Sequence, residues 1–470
     1  MIDMTKGSIS KLLLTFTIPM FIGSVFQQLY NVVDRMIVGQ FMGEKALASV
    51  GASFSIIFFL IALAMGATMG VSVLVSQYYG AKNYKKVRLC IETSYIVMLG
   101  MSFLMMVIGF SCSDFVLHLL DTPVEVLDGA KWYLNTIFAG IIVFFGYNLI
   151  GAILRGLGDS KTPLYLLIFA TILNIALDLL FVVYFRWGVF SVALATIISE
   201  GIAFLGGMYY LQKFNKLFRV NYFKLRFNKD IFVRSMQIGL PSGVQQMLVA
   251  SGMMVLHRLV NGYGTTALAA FTVAGSIDAF AMMPAMNLSM AISTFVGQNI
   301  GAGKQDRVKG AVKSGLFMAA AISIVVSLFV IVFSEPLLRM FVSEPSVINI
   351  GREYLLIVGS FYLPFMLMFI FTGCLRGAGD TLIPTFLTVV SFWGIRVPSA
   401  SILSAKIGLI GVWWSIPISW ITGMLFSAAY FYSGAWRKKT LIKPSRETLE
   451  AEEIIGEIEM RDLEQKEVRL

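Results

Sequence analysis

Four acidic side chains, Asp34, Asp178, Glu200 and Asp278, stand inside long apolar runs. An ionisable group at that position is costly, so each is a candidate for function. Their polar neighbours recur at helical spacing. Gln27, Tyr30, Asn31 and Asp34 fall on one face of a helix, which therefore does not look toward lipid. Asn174 and Asp178 lie one turn apart on another helix, and Thr196 and Glu200 repeat that spacing on the next. Carboxylate, amide and hydroxyl oxygens gathered in this way are the ligand set of a hard cation such as sodium. The same carboxyls can also hold and release a proton, and spacing alone does not choose between the two. A hydrogen-bonded network that merely ties helices together is the structural alternative. Tyr133 and Asn148 either add to this cavity or pack against it. Asp278 is open to both roles, and Arg396, deep in "WGIRVP", is a charge that could pair with it.

These groups need a scaffold that shields them from lipid, and the composition supplies one. Of 470 residues, 57% are hydrophobic and 14% charged, with a mean hydropathy of +0.79. Soluble domains carry about 25% charged residues, so this chain cannot coat a water-facing surface. A soluble enzyme, a disordered chain and a disulfide scaffold are excluded. Cys90, Cys112 and Cys374 have no metal-like spacing and read as small packed hydrophobes. His118 and His257 are the only histidines, and neither has a partner motif for catalysis. Twelve spans are expected near 12–38, 46–76, 91–112, 131–154, 163–185, 189–212, 235–260, 266–296, 311–333, 352–374, 383–404 and 409–434. Lys6 and Lys11 precede the first run as they would a signal peptide. The run is too long for one and shows no cleavage site, so a retained helix is expected.

Charge sets the orientation, because cytoplasmic loops retain Lys and Arg. With both termini inside, 28 of the 37 basic residues fall on the inner side. The net charge of +10 is then a topology signal, and no nucleic-acid partner is implied. The chain also repeats itself at an offset of 221. "SQYYGAKNYKKV" (76–87) matches "GQNIGAGKQDRV" (297–308), and "LRGLGDSKTP" (154–163) matches "LRGAGDTLIP" (375–384). An even number of spans separates the copies, so they share one orientation, with a binding site expected between them. The reading is an all-α membrane protein of two six-helix lobes related by pseudo-two-fold symmetry. The lobes are 1–212 and 235–434, joined by a basic cytoplasmic linker, 213–234, and followed by a charged cytoplasmic tail, 435–470. In the LRG-G-D loops, Asp159 or Asp380 can cap the next helix, and Arg155 and Arg376 are expected at the cytoplasmic headgroups. Methionines cluster with aromatics at 65–69, 98–106, 247–254 and 282–290, a surface able to re-pack around unlike ligands.

With "YNVVDRMIVGQFMGEKALASVG" at 30–51, the paired LRG-G-D loops, "GQNIGAG" at 297–303 and "RVP" at 396–398, the chain resembles the multidrug and toxic compound extrusion (MATE) family over its twelve helices. The resemblance implies a V-shaped pair of lobes in the plasma membrane that exports cationic amphiphilic molecules by alternating access, in exchange for sodium ions or protons. It implies no cofactor, no enzymatic activity, lipid as surroundings and a monomer. It also implies that Asp34, Asn174, Asp178 and Thr196 form the cation-coupling site of the first lobe, holding the metal if the ion is sodium. Pro19, about four turns before Asp34, is the implied hinge, since a missing backbone donor makes a bend cheap. Two features depart from the pattern. Where some members carry coupling acids in the second lobe, this chain has Val249 and Phe365, and Glu200 stands where a neutral residue is expected. The alternative within the same superfamily is a flippase for lipids or lipid-linked oligosaccharides, which should show a basic central cavity. A channel lacks its pore-lining charge rings.

Overall fold

The computed structural model describes residues 1–119, 122–214, 218–222 and 224–439, and all regular structure among them is helical. The first apolar runs become α1 (Ile9–Met42), α2 (Glu44–Gly80) and α3 (Tyr84–Leu119), each longer than the roughly 20 residues a bilayer core needs. The fourth expected span is two helices, α4 (Val124–Ala139) and α5 (Ile141–Gly156), bent by 54°. The bend falls at Gly140, where a Cβ would lie 2.3 Å from the Ile197 side chain. Next come α6 (Lys161–Asp178), which runs on into a π-helical stretch at Leu179–Tyr184, and α7 (Phe190–Phe214).

The second half repeats this order as α8 (Lys229–Asn261), α9 (Thr265–Gly301) and α10 (Gln305–Val332). A short α11 (Ser334–Arg339) leads to α12 (Pro345–Gly359) and α13 (Tyr362–Gly377), bent by 50°. Phe361 marks this second bend, 221 residues after Gly140, so the repeat includes the break. The chain ends its helices with α14 (Leu382–Val389), a π-helical stretch Val390–Arg396, α15 (Val397–Ile407) and α16 (Leu409–Ser433).

Among the described residues nine helices are long and apolar enough to cross a membrane, and eleven spans result when each bent pair counts as one. The one expected span outside that set, the seventh, is α8, which is 33 residues long but more polar. Its Gln245 is buried, accepting from Arg376 Nη2 at 2.9 Å, so protein covers part of that polarity.

Each half has its own apolar core, and each core borrows from the other half's first helix. Leu13 and Phe16 of α1 pack with Phe295, Leu375 and Trp413. Ile231 and Ile238 of α8 pack with Leu74, Ile91 and Leu154, joined by Phe218 and Val220 of the expected linker. The crossings differ in character. Gly66 and Gly243 bring α2 and α8 so close that a Cβ on Gly66 would meet the Gly243 Cα at 2.7 Å. On the other side, Asn287 Nδ2 donates to Ser24 Oγ at 2.9 Å, tying α9 to α1.

The LRG-G-D loops are built as caps. Asp159 Oδ1 accepts from the backbone N–H of Lys161 and Thr162 at 3.2 and 3.0 Å, satisfying the start of α6. Gly158 and Gly379 sit at φ +81° and +94°, where a side chain is strained, which is why the loop needs glycine there. The arginines correct an expectation. They are turned into the protein and do not reach out to headgroups: Arg376 bonds to Gln245, and Arg155 Nε is buried without a hydrogen-bond partner. Of the expected tail, Ala435–Lys439 forms a 3-10 turn with Trp436 buried, and 440–470 lie outside the described residues.

Candidate functional site

The site is assembled from three helices of the first half. Asp34 on α1 and Asp178 at the end of α6 come within hydrogen-bonding reach of one another. Asn174, one turn before Asp178, is fully buried. In the amide orientation that satisfies both its ends, it donates to Asp178 Oδ2 at 3.1 Å and accepts from the Thr196 backbone N–H at 3.2 Å. The Thr196 hydroxyl donates to the Val192 carbonyl at 3.1 Å, which leaves it to accept from Tyr30 OH at 2.9 Å. A continuous network thus runs from α1 through α7 to α6. Two buried oxygens at its centre, Asp34 Oδ1 and Asp178 Oδ1, accept from no N–H or hydroxyl group of the protein. Such groups are expensive in a low-dielectric interior unless a proton or cation meets them.

The helix geometry explains why these residues meet. Asn174 and Asp178 share a face of α6, and the π-helical stretch starts at Leu179, directly after Asp178. π turns of this kind often mark functional sites, and spacing in the sequence does not reveal them. Beneath the network an apolar cluster of Ile37, Val38, Ala46, Tyr133, Val182, Val192 and Ala193 holds the three helices together.

Several expected residues join the site and others do not. Tyr133 lies within electrostatic reach of Asp34, Asp178, Arg35 and Glu200. Glu200, one turn from Thr196, acts on Tyr30, Tyr133 and Tyr147. Asn148 donates to the Phe144 carbonyl of its own helix at 2.8 Å and makes no bond to the network. Asn31 is exposed and pairs with Gln28 on α1. Gln27 is half-buried, two turns before Asp34, and makes no hydrogen bond to the cluster. Pro19 is buried within α1, which runs through it as one unbroken helix.

Two neighbours escaped the sequence reading. Arg35 stands beside Asp34, and Tyr147 lies between Glu200 and Arg155. A signal for Tyr147 existed: the dipeptide Tyr-Asn occurs at 30–31 and at 147–148. In both places the tyrosine, and not the asparagine, faces the acids.

Asp278 of α9 is handled differently. It accepts from Tyr354 OH at 2.6 Å and from Tyr362 OH, so both of its oxygens are satisfied. Arg396 acts on it electrostatically but donates from Nε to Ser419 Oγ at 2.7 Å, with its guanidinium over the rings of Phe392 and Trp420. No ion pair within 4.0 Å joins the two among the described residues. Val249 and Phe365 both pack with the second core.

Tandem helical repeats whose long helices turn large apolar side chains outward define a multi-pass membrane protein. The MatE family model matches residues 19–180 and again 241–402, once in each repeat, and the chain belongs to that family. It is 32% identical over 441 residues to "Probable multidrug resistance protein YpnP" of Bacillus subtilis (strain 168), covering 93% of this chain and 98% of that protein. It is 27% identical over 454 residues to "Probable multidrug resistance protein NorM" of Thermotoga maritima, covering 93% and 95%. Among solved structures it superposes with a TM-score of 0.86 on the "Outward-facing conformation of a multidrug resistance MATE family transporter of the MOP superfamily", at 23% identity, covering 93% of this chain and 98% of that one. At that identity the superposition establishes the two-lobe fold.

Proposed function

We propose that the protein is a secondary active multidrug efflux transporter of the plasma membrane that exports cationic amphiphilic molecules against an inward-moving cation. Its basic end and both termini face the cytoplasm, in keeping with the retention of Lys and Arg on that side. Asp34, Asn174, Asp178 and Thr196 form the coupling site. The observation that carries this reading is the contact between the carboxyls of Asp34 and Asp178. A hydrogen bond between two carboxyl groups needs a proton on one of them, and like charges so close do not both persist. The Asn174 amide can present either its N–H or its oxygen to Asp178, so it can serve a protonated pair or a bound sodium ion.

The cycle follows from differential affinity. With the outer side open, the pair takes up the cation, α1 bends at Pro19, and the drug site between the halves is reshaped so that the drug leaves. The cation departs when the halves rock, and only its unequal affinity for the two states drives the cycle. Glu200 adds a third carboxyl to the same region, and a cationic cargo would favour its charged form. The likeness to relatives named as probable multidrug resistance proteins supports multidrug substrates.

The test is efflux of a fluorescent organic cation from proteoliposomes under a pH gradient alone and under a sodium gradient alone. A pH gradient is expected to suffice. Asp34→Asn is expected to abolish coupled efflux while the protein still extracts as a folded monomer. Undiminished drug resistance in cells making that variant would sink the coupling assignment. Efflux under sodium alone would keep the site and change the ion.

A further inference from the structure

The motifs repeated at an offset of 221 meet each other at the basic end. Gln77, in the first copy of the longer motif, donates from Nε2 to the carbonyl of Gly377, in the second LRG-G-D loop, at 2.9 Å. Its counterpart Gln298 donates to the carbonyl of Gly156, the counterpart of Gly377, at 3.3 Å. Both glutamines are fully buried. The helices that bear them touch backbone to backbone. A Cβ on Gly80 would lie 1.9 Å from the Gln298 carbonyl oxygen, and one on Gly301 would lie 1.9 Å from that of Gln77. Each half therefore closes on the other through one amide and one glycine seat.

One difference breaks this symmetry. Gln77 Oε1 is buried with no hydrogen-bond partner, whereas Gln298 Oε1 accepts from the backbone N–H of Met4 at 2.9 Å. Residues 1–7 lie across the seam. On the first half, the Ile2 N–H donates to the Gly158 carbonyl at 2.9 Å. On the second, the Met4 carbonyl accepts from Asn299 Nδ2 and Arg307 Nη2, both at 3.1 Å, and the Gly7 carbonyl accepts from Arg307 Nη1 at 3.0 Å. The Met4 side chain is fully buried in the second core. The stretch one repeat further on goes elsewhere: the Arg226 and Asn228 N–H groups donate to Glu92 and Thr93 of α3.

We propose that Gln77 and Gln298 are the positioning residues of a gate at the basic end, and that residues 1–7 are a strap docked on Gln298 that must leave its seat for this end to open. The segment is bonded to Gly158 on one side and to Asn299 and Arg307 on the other, so separation of the halves cannot keep both sets of bonds. The strap thereby loads one half of a two-fold gate and leaves the other half unloaded. The proposal goes beyond the efflux reading and needs from it only that the halves rock.

The test uses the full chain in lipid nanodiscs, spin-labelled at the exposed positions Lys85 and Gln305 on either side of the seam, with distances read by electron–electron double resonance. An ordinary hydrogen bond is worth roughly a fivefold ratio of states. Gln298→Ala, which loses two, is expected to raise the ratio of open to closed molecules about 25-fold, and Gln77→Ala, which loses one, about fivefold. Gln298→Glu keeps the acceptor for Met4 and loses the donor to Gly156, so it should match Gln77→Ala; a packing role alone would instead group it with wild type. Removing residues 2–6 is expected to make Gln77→Ala and Gln298→Ala equal. Equal shifts with the strap present, or no shift in either variant, overturn the proposal. If Gln298→Ala does not fold, Met4→Ser reads the strap by itself, and an unchanged distance there overturns it too. The distances are taken without drug or ion gradient, so their outcome is independent of whether the efflux reading stands.

Discussion

At the scale of single residues, the network around Asp178 is held by one amide. Asn174 spans from the carboxyl to the Thr196 backbone, and no other side chain satisfies both. Asn174→Leu keeps the volume and strands a buried acceptor and a buried donor, at a cost of about 1–3 kcal/mol. Coupled efflux is expected to fall to background, with a lowered thermal midpoint; full efflux from this variant would remove the amide from the site. Tyr30→Phe deletes only a hydroxyl, so its expected cost is about 0.5–1.5 kcal/mol, with slower efflux and an unchanged ion requirement. A changed ion requirement would place Tyr30 among the groups that select the ion. Helical spacing in the sequence places Asn174 with Asp178 on one face and Tyr30 with Asp34 on another, but not the meeting of those faces. Tyr147 and the inward turn of Arg155 were not legible there, because they depend on which helices become neighbours.

At the scale of elements, the twelve apolar runs follow from composition, but their breaks do not. Periodicity carries no mark of a bend, so the fourth and tenth spans read as single helices and fold as pairs. Gly140 permits the first bend by letting α4 and α5 approach Ile197, a contact between segments far apart in sequence. The π-helical stretch after Asp178 was hidden for the same reason, since one extra residue in a turn leaves apolar content unchanged. The glycines at the α2–α9 crossing allow a direct test. Gly301→Ala places a methyl group 1.9 Å from the Gln77 carbonyl oxygen, which is backbone and cannot step aside. The closed basic end is expected to lose at least about 1–3 kcal/mol relative to the open one, as overpacking does. Labelling of a cysteine placed at the seam should rise from the basic side; labelling equal to the parent would show that the crossing is looser than drawn. Gly100, with open space around it, is the control, because its alanine variant meets nothing within 4 Å.

At the scale of the whole molecule, a near-symmetric fold carries asymmetric chemistry. Three of the four intramembrane acids lie in the first half and one, Asp278, in the second. They differ too in what surrounds them. Asp34 and Asp178 each keep an oxygen that no N–H or hydroxyl reaches, whereas both oxygens of Asp278 accept tyrosine hydroxyls and Arg396 supplies compensating charge nearby. A satisfied acid beside a buried arginine has little to gain from binding a cation, and removing it leaves the arginine uncompensated. Asp278→Asn is therefore expected to destabilise the protein by about 1–3 kcal/mol, because its amide can accept only one of the two tyrosine hydroxyls at those positions, while efflux per folded molecule keeps its ion dependence. Asp34→Asn is expected to do the reverse, with coupling lost and the thermal midpoint held, since the amide can still donate a hydrogen bond to Asp178. Thermal unfolding and gradient-driven efflux measured on both variants separate the two halves. Loss of ion dependence in Asp278→Asn with unchanged stability would show that the second half couples as well, and that the two-fold fold is matched by two-fold chemistry.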